Sequence, residues 1–379
     1  MKYNLADICE YAKGKVDVAI LDEETYISTE NMLPNKGGVM SASSLPTVAQ
    51  TQAFLTSDVL VSNIRPYFKK IWFAEFDGGC SNDVLVFRAK DGVSKRFLYY
   101  VLANDAFFDY SMATSKGTKM PRGDKAAIMK YEVPDFTYEE QEKIAGILEA
   151  LDRKIQLSTE INENLLEQAQ ALYREYFIDK AHPEWPNVTI EELASLVTRG
   201  ITPRYADDGD QIVINQKCIR NHSIDLVPAR HHIPKKIDEK WIVKGDLLIN
   251  STGVGTLGRV AQVWFDANNI TVDSHVTIVR PKAQQFQSYL GFWGISHESE
   301  IEALHTGSTG QTELPRDRVK AMQLPLPDNV TLSRFNEIVI PMTATIIANQ
   351  NENVSLAQLR DTLLPKLMSG ELDVSSLEL

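Results

Sequence analysis

Between residues 139 and 178, seam positions recur at alternating steps of three and four: Ile144, Leu148, Leu151, Ile155, Ser158, Asn162, Leu165, Ala169, Leu172 and Tyr176. A stripe of period 3.5 over several heptads is the seam of a long helix packed against another helix. Neither Pro nor Gly follows Gly146 within the stretch, so the pattern predicts one helix of about forty residues, about 60 Å long at 1.5 Å per residue. A second seam runs through residues 331–368: Phe335, Ile338, Met342, Thr345, Asn349, Glu352, Leu356, Leu359 and Leu363. There Pro341 is expected to kink the helix or mark its start, and Pro365 with Gly370 to end it. A helix apolar along one stripe needs a partner, and each seam supplies one for the other. Both have a polar middle. If the helices run antiparallel with centres aligned, Asn162 lies close to Asn349 and Ser158 near Glu352. A buried polar layer of this kind fixes register at some cost in stability; the alternative is a splayed, solvated stretch.

Outside the seams the apolar runs are short. Residues 58–64, 70–76 and 83–88 read as strands and 94–109 as a helix, before Val133-Pro134 leads into the first seam. The plan then repeats. LVTRG (196–200) answers YAKGK (11–15), and KGDLLINS (244–251) answers SDVLVSN (57–63). RVAQVWFD (259–266) answers KKIWFAEFD (69–77), and SHVTIVR (274–280) answers NDVLVFR (82–88). STGQTELPRDR (308–318) answers SKGTKMPRGD (115–124), and LPLP (324–327) stands where Val133-Pro134 stood. Matches in the same order over such a length indicate a duplicated unit. The expected segments are therefore a globular block at 1–137, a helix at 138–180, a second globular block at 181–329, and a helix with a tail at 330–379.

Charge changes the picture in one respect. The chain has 379 residues and a net charge of −12, yet the two globular blocks carry only −1 and −3, while the two helical segments carry −5 and −3. Near-neutral blocks leave room for a basic face; acidic helices suit protein partners better than nucleic acid. Cys9, Cys80 and Cys218 are widely spaced and form no CxxC pair, as expected of buried thiols in a reducing compartment. No apolar run is long enough to span a membrane and the first residues lack a signal-peptide pattern, so a cytoplasmic protein without membrane contact is expected.

Catalytic signatures are wanting. Gly253-Val-Gly-Thr-Leu-Gly258 matches GxGxxG, with Asp273 twenty residues beyond Gly253. Dinucleotide binding needs a helix N-terminus after the glycines, whereas the next segment is the alternating, strand-like RVAQVWFD. The corresponding turn of the first block, Asn63 to Phe68, has no glycine. No histidine spacing fits zinc, and His231-His232 beside Lys235-Lys236 reads as surface loop. A nucleophile elbow, a nuclease motif and an S-adenosylmethionine loop are likewise missing. No catalytic residue, metal or cofactor is expected. What the chain does carry is polar loops in both blocks: residues 65–70, 114–119, 199–205, 216–222 and 230–236. Arg and Lys bond guanine edges, Asn and Gln bond adenine, and Ser and Thr hold phosphate. The candidate DNA-contacting residues are Arg65, Lys69, Lys70, Ser115, Lys116, Lys119, Arg199, Arg204, Lys217, Arg220, Asn221, Lys235 and Lys236. The register candidates are Ser158, Asn162, Asn349 and Glu352.

This arrangement resembles the DNA-specificity subunit of type I restriction–modification systems. The resemblance rests on EEQEKIAGILEALDRKI after Val133-Pro134, on WPNVTIEELASLVTRGITP, on Gly245-Asp246-Leu247-Leu248 with its glycine turn, and on LLPKLMSGEL. The first block departs from the pattern, lacking a Trp-Pro lead and a Thr-Pro after Gly14, and the second helix lacks the Glu-Gln start. The resemblance implies an α+β fold: two similar globular α/β target-recognition domains separated by two long helices in an antiparallel coiled coil, with pseudo-two-fold symmetry. It implies a non-catalytic subunit that reads a split target on double-stranded DNA, in half-sites about one helical turn apart, roughly 34–36 Å. The helices would dock two methyltransferase subunits, which use S-adenosylmethionine to methylate adenine, and the assembly would take up motor–nuclease subunits. The competing readings are a coiled-coil scaffold without a DNA role, and a nuclease or methyltransferase with built-in specificity.

Overall fold

The computed structural model describes residues 2–233, 237–307 and 312–375. The chain forms two compact units: Met1–Gln156 with Asn353–Leu379, and Leu157–Glu352. Each unit therefore holds one half of each long helix, where the sequence suggested helices as segments of their own.

In the first unit, strand Lys2–Asn4 pairs with Glu132–Pro134, and Asn4 and Asp7 cap helix Leu5–Ile8 reciprocally. The central sheet is antiparallel, in the order Cys9–Tyr11, Val84–Ala89, Val59–Ser62, Ile71–Phe73. Its apolar residues split by alternation. Val59, Val61, Leu85 and Phe87 pack with Phe97, Leu98 and Phe107 of the helices. Leu60, Val84 and Val86 pack with Ile27, Met32, Phe54 and Trp72. Both faces are covered, which is why 58–64 and 83–88 read as continuous apolar runs. The expected helix over 94–109 is two helices, Lys95–Ala103 and Asp105–Ala113. Asn104 breaks it: its backbone is extended and its side chain accepts from the Ala106 N–H at 3.1 Å, an N-cap replacing a helical turn.

The second unit is built from the same parts. Strand Asn187–Thr189 pairs with Gln323–Pro325, and Thr189 and Glu192 cap helix Ile190–Leu193. The sheet order is Ala194–Arg199, Val276–Pro281, Leu247–Asn250, Val260–Gln262. A smaller sheet contains Arg230–His232. The expected surface loop at His231-His232 is therefore a strand, with His232 fully buried.

One ion pair, a buried aspartate held by a half-buried arginine, is repeated. Arg88 grips Asp58 with Nε and Nη2 at 2.8 and 2.6 Å, and Arg280 grips Asp246 in the same way at 2.9 and 2.8 Å. Each aspartate also accepts a backbone N–H from three residues earlier, Leu55 or Val243. Strand pairing corrects two sequence alignments. Tyr11 opposite Phe87 and Val197 opposite Val279 make Gly14 the equivalent of Gly200, one residue away from the string match. The Lys116–Arg122 bridge corresponds to Thr306–Glu313, so the shared Pro-Arg strings are out of register. Loop strings align by composition, whereas ladders are fixed by hydrogen bonds.

The first long helix spans Tyr138–Arg174 and ends in a π-helical turn, Glu175–Asp179. Thr137 and Glu140 cap its start reciprocally, at 2.8 and 3.3 Å. Every residue of its predicted seam is buried or half-buried. The second spans Asn329–Ser369 and starts where Asp328 accepts the N–H groups of Val330 and Thr331. Pro341 and Pro365 lie inside it without ending it. Both are exposed, on the face where a carbonyl that loses its partner meets water. Gly370, at φ 74°, terminates the helix. Alternate positions of the predicted second seam fall one residue short: Ile338, Thr345, Glu352 and Leu359 are exposed, whereas Phe335, Met342, Asn349, Leu356 and Leu363 are buried or half-buried. The observed seam runs through Leu332, Phe335, Val339, Met342, Ile346, Asn349, Asn353, Leu356, Arg360, Leu363 and Leu367. The step after Phe335 is four residues, not three.

In both units the helix segments run antiparallel. In the first, Arg360 pairs with Asp152 at 2.7 Å and Asn353 donates to the Ile155 carbonyl at 3.4 Å. In the second, Asn349 Nδ2 donates to Asn162 Oδ1 at 2.8 Å, and Asn162 Nδ2 to the Ile346 carbonyl at 3.4 Å. Ser158 is buried; Glu352 is exposed, and Asn353 takes the seam position expected for it. Replacing Asn349 alone by Leu leaves Asn162 Oδ1 without its donor and is expected to destabilise the second unit by about 1–2 kcal/mol. The double variant Asn162→Leu/Asn349→Leu should recover most of that loss in urea unfolding; additive losses would show that the amides are not coupled.

Candidate nucleic-acid interface

Both units present a turn between the last two strands of the central sheet, braced by a second loop. In the first unit the turn joins Val59–Ser62 to Ile71–Phe73. Arg65 and Lys69 are left-handed, at φ 50° and 51°, on either side of a single helical turn, Pro66–Phe68. The Arg65 N–H donates to the Pro121 carbonyl at 2.8 Å, and the Gly123 N–H to Asn63 at 3.2 Å. Lys116 and Arg122 exchange backbone hydrogen bonds at 2.9 and 3.0 Å. The fold thus brings Arg65, Lys69, Lys70, Ser115 and Lys116 to one region, and adds Arg122.

Their side chains are unequally available. Lys69 and Lys36 both bond Asp105, at 2.8 and 2.9 Å. Lys70 donates to the Thr29 carbonyl at 2.6 Å, and burial pulls its pKa below the ordinary lysine value; it braces the fold. Ser115 is spent on the Met112 carbonyl at 2.7 Å. Lys116 pairs with Asp124 at 2.6 Å and Arg122 with Asp83 at 3.1 Å, yet both remain open, with side-chain exposures of 82 and 54 %. Lys119 is exposed on the same loop.

In the second unit, Gly253, Gly255 and Gly258 take φ of 111°, 70° and 84° in the turn before Val260–Gln262. A strand succeeds these glycines, not a helix. The bracing loop pairs Thr306 with Glu313 at 2.8 and 2.9 Å, and Leu314 donates to the Ser251 carbonyl at 2.8 Å. Arg199 bonds Glu313 at 2.6 Å and the Leu314 carbonyl at 2.9 Å, so it ties the loop down. Lys217 is exposed on the one-turn helix Gln216–Cys218, beside the glycine turn: Thr252 Oγ1 donates to Gln216 Oε1 at 3.2 Å, and Asn250 Nδ2 to the Gln216 carbonyl at 3.0 Å.

The remaining candidates lie elsewhere on this unit. Arg204 is exposed in the segment bridged to His232 through Tyr205, on whose ring Arg230 stacks at 3.8 Å. Arg220 and Asn221 form the exposed tip of a hairpin. That hairpin is anchored to the second long helix, since Gln350 donates to Ser223 at 3.1 Å. Among the described residues no carboxylate pairs with Arg204, Lys217 or Arg220. Lys235 and Lys236 lie outside the described residues. The candidate list missed Arg122, Thr252 and His275, whose Nδ1 is 2.7 Å from Thr252 Oγ1. Arg122 stood in the recurring Pro-Arg string; nothing in the sequence marks the other two.

Among the described residues no group of three His, Cys, Asp or Glu side chains is placed to hold a metal. All three cysteines are buried, and desolvation pushes the thiols up to about 12, 12 and 11 for Cys9, Cys80 and Cys218, away from nucleophilic use at neutral pH. Among the described residues no helix is long and apolar enough to cross a membrane.

Residues 1–167 match a family model described as type I restriction modification DNA specificity domain. The chain is 23% identical over 457 residues to the type I restriction enzyme HindI specificity subunit of Haemophilus influenzae, covering 98% of this chain and 99% of that one. It is 24% identical over 317 residues to the type I restriction enzyme MjaIX specificity subunit of Methanocaldococcus jannaschii, covering 76% and 71%. The crystal structure of a type I restriction–modification system S subunit from M. genitalium shares the fold, with a TM-score of 0.60 at 16% identity over 99% of this chain and 96% of that one.

A methyl group at Gly253 would meet Thr256 Oγ1 at 2.2 Å and Gln216 Cδ at 2.9 Å, whereas at Gly255 it would meet nothing within 4 Å. Both positions charge a side chain about 1–2 kcal/mol for their positive φ. Gly253→Ala should therefore destabilise the second unit more than Gly255→Ala in urea unfolding; equal losses would mean that Gln216 does not pack under the turn.

Proposed function

We propose that the chain is a type I restriction–modification specificity subunit that reads a bipartite DNA target, one half with each unit; the match of residues 1–167 to that family's model and the likeness to a specificity subunit over 98% of the chain support this. Being a specificity subunit makes it a non-catalytic component of its enzyme. The observation that carries the bipartite reading is the duplication. Two units repeat one sheet, one Asp–Arg anchor and one braced turn, and they differ in the side chains the turn exposes. Matching central sheets with unlike tips suit two half-sites of unlike sequence. Lys116, Lys119 and Arg122 in the first unit, and Lys217 with Arg204 in the second, are open to phosphates or base edges.

In the same reading the long helices dock two methyltransferase subunits, which supply the S-adenosylmethionine chemistry, and the assembly takes up motor–nuclease subunits. The acidic helical segments fit a protein partner better than DNA, and partner subunits offset the acidic balance of the whole chain. The Asn162–Asn349 layer sets the register of the helices.

Exchanging residues 1–137 for those of another specificity subunit, in complex with the methyltransferase, should change one half of the methylated target and leave the other intact. An unchanged target overturns the assignment. Specific binding should also weaken as salt rises, in proportion to the number of phosphates contacted; a salt-independent complex would contradict a phosphate-contacting interface.

A further inference from the structure

The two braced turns share one feature that their charged neighbours do not explain. Each holds apolar side chains out into solvent at its tip. In the first unit Tyr67 is 48 % exposed and Phe68 38 %, with ring centroids 4.6 Å apart. In the second, Val254 is 89 % exposed between Gly253 and Gly255. Single exposed apolar residues are ordinary on a surface. They stand in the same turn of the duplicated plan, Val254 at the position of Pro66 and so next to that of Tyr67, and the turns are held firmly.

The first turn is fixed by five backbone hydrogen bonds. Arg65 donates to Pro121, Phe68 to Arg65, Lys69 to Pro66, Asn35 to Phe68 and Lys36 to Lys69, at 2.8–3.0 Å. Non-glycine residues hold left-handed backbone at Arg65, Lys69, Asn35 and Lys36, a strain that persists only where the surroundings determine it. The second turn is fixed by Thr256 and Leu257 donating to Gly253, and Gly258 to Asn250, at 2.9–3.2 Å. Glycines at both sides of Val254 leave the tip narrow. Cations accompany the first turn: Lys69 within it, and Lys116 and Arg122 on the loop that braces it, paired with Asp105, Asp124 and Asp83. A rigid apolar tip set among cations fits one class of surface, a polyanion with an apolar interior, which is a nucleic-acid groove. There, aliphatic groups meet thymine methyls and apolar wedges press against base steps.

We propose that the two equivalent turns are base-contacting wedges, Tyr67 and Phe68 in the first unit and Val254 in the second, each a specificity determinant for its own half-site. The inference rests on the DNA-reading function above and names side chains that act by apolar contact to bases, not by charge. The rings and the valine discriminate between base pairs; the cations around them set affinity for any sequence.

The test uses the full chain assembled with its methyltransferase, and competition binding at fixed salt across duplexes that carry every single base-pair change in the target. Tyr67→Ala/Phe68→Ala should lower discrimination about 5- to 100-fold at one or two base pairs of a single half-site. Non-specific affinity, the other half-site and the unfolding midpoint should stay as they were. Val254→Ser should do the same in the other half-site alone, and Tyr67→Phe, which keeps the ring, should retain wild-type discrimination. Unchanged discrimination at every base pair, a uniform loss across all sequences, or an effect of one variant on both half-sites would overturn the proposal. A wild-type complex with no sequence preference would overturn the DNA-reading function itself, a distinguishable failure.

Discussion

An apolar stripe along a 37-residue helix has to be covered, and the second long helix covers it within each unit. That constraint organises both cores. In the first unit Ile144 and Leu148 join Leu364, Leu367 and Met368 beneath the globular helices. In the second, Ala169, Tyr173 and Phe177 join Leu332, Phe335 and Val339 around Tyr289 and Phe292. The helices are therefore not a stalk added to finished domains: each globular sheet completes its core on them. The middle of the seam trades apolar burial for specificity, since Asn349 donates to Asn162 and Asn162 to the Ile346 carbonyl, bonds that disfavour alternative registers. The polar clasp at Asp152, which takes both Arg360 and the Tyr100 hydroxyl at 2.7 Å, ties the first unit's globular part to its helix pair.

Duplication shows which features the fold requires and which are free. The Asp–Arg anchor, the reciprocal cap at the first short helix, and the braced turn appear twice. The turn's exposed chemistry does not. Arg122 occupies the bridge position held by Glu313 in the second unit, and a glycine-free turn answers a glycine-rich one. Under the proposed function this is the expected division: the scaffold is held constant while the contacting side chains vary.

Much of this was legible in the sequence. Every position expected in the first seam is buried or half-buried, because one-sided burial over many turns leaves a strong periodic signal, although Ala145 and Tyr173 beside it are buried as well. The central strands were found because both of their faces are covered. In the second seam every other position, Ile338, Thr345, Glu352 and Leu359, was placed one residue early because the step of three was taken before the step of four, while Phe335, Met342, Asn349, Leu356 and Leu363 hold. Pro341 and Pro365 looked like boundaries because sequence does not show that they face solvent. The candidate interface was less legible. Arg199, Lys70 and Ser115 have the right chemistry for DNA but are consumed by internal partners. Thr252 and His275 meet only through tertiary pairing of distant loops. Charge and polarity name residue types, whereas availability depends on which neighbours the fold supplies.

The central claim is that one chain carries two separate readers. Selection of random-sequence duplexes by the full chain assembled with its methyltransferase tests this most directly. The account predicts two blocks of fixed sequence separated by a spacer of fixed length and free composition. A single contiguous block, or no enriched sequence, would contradict it.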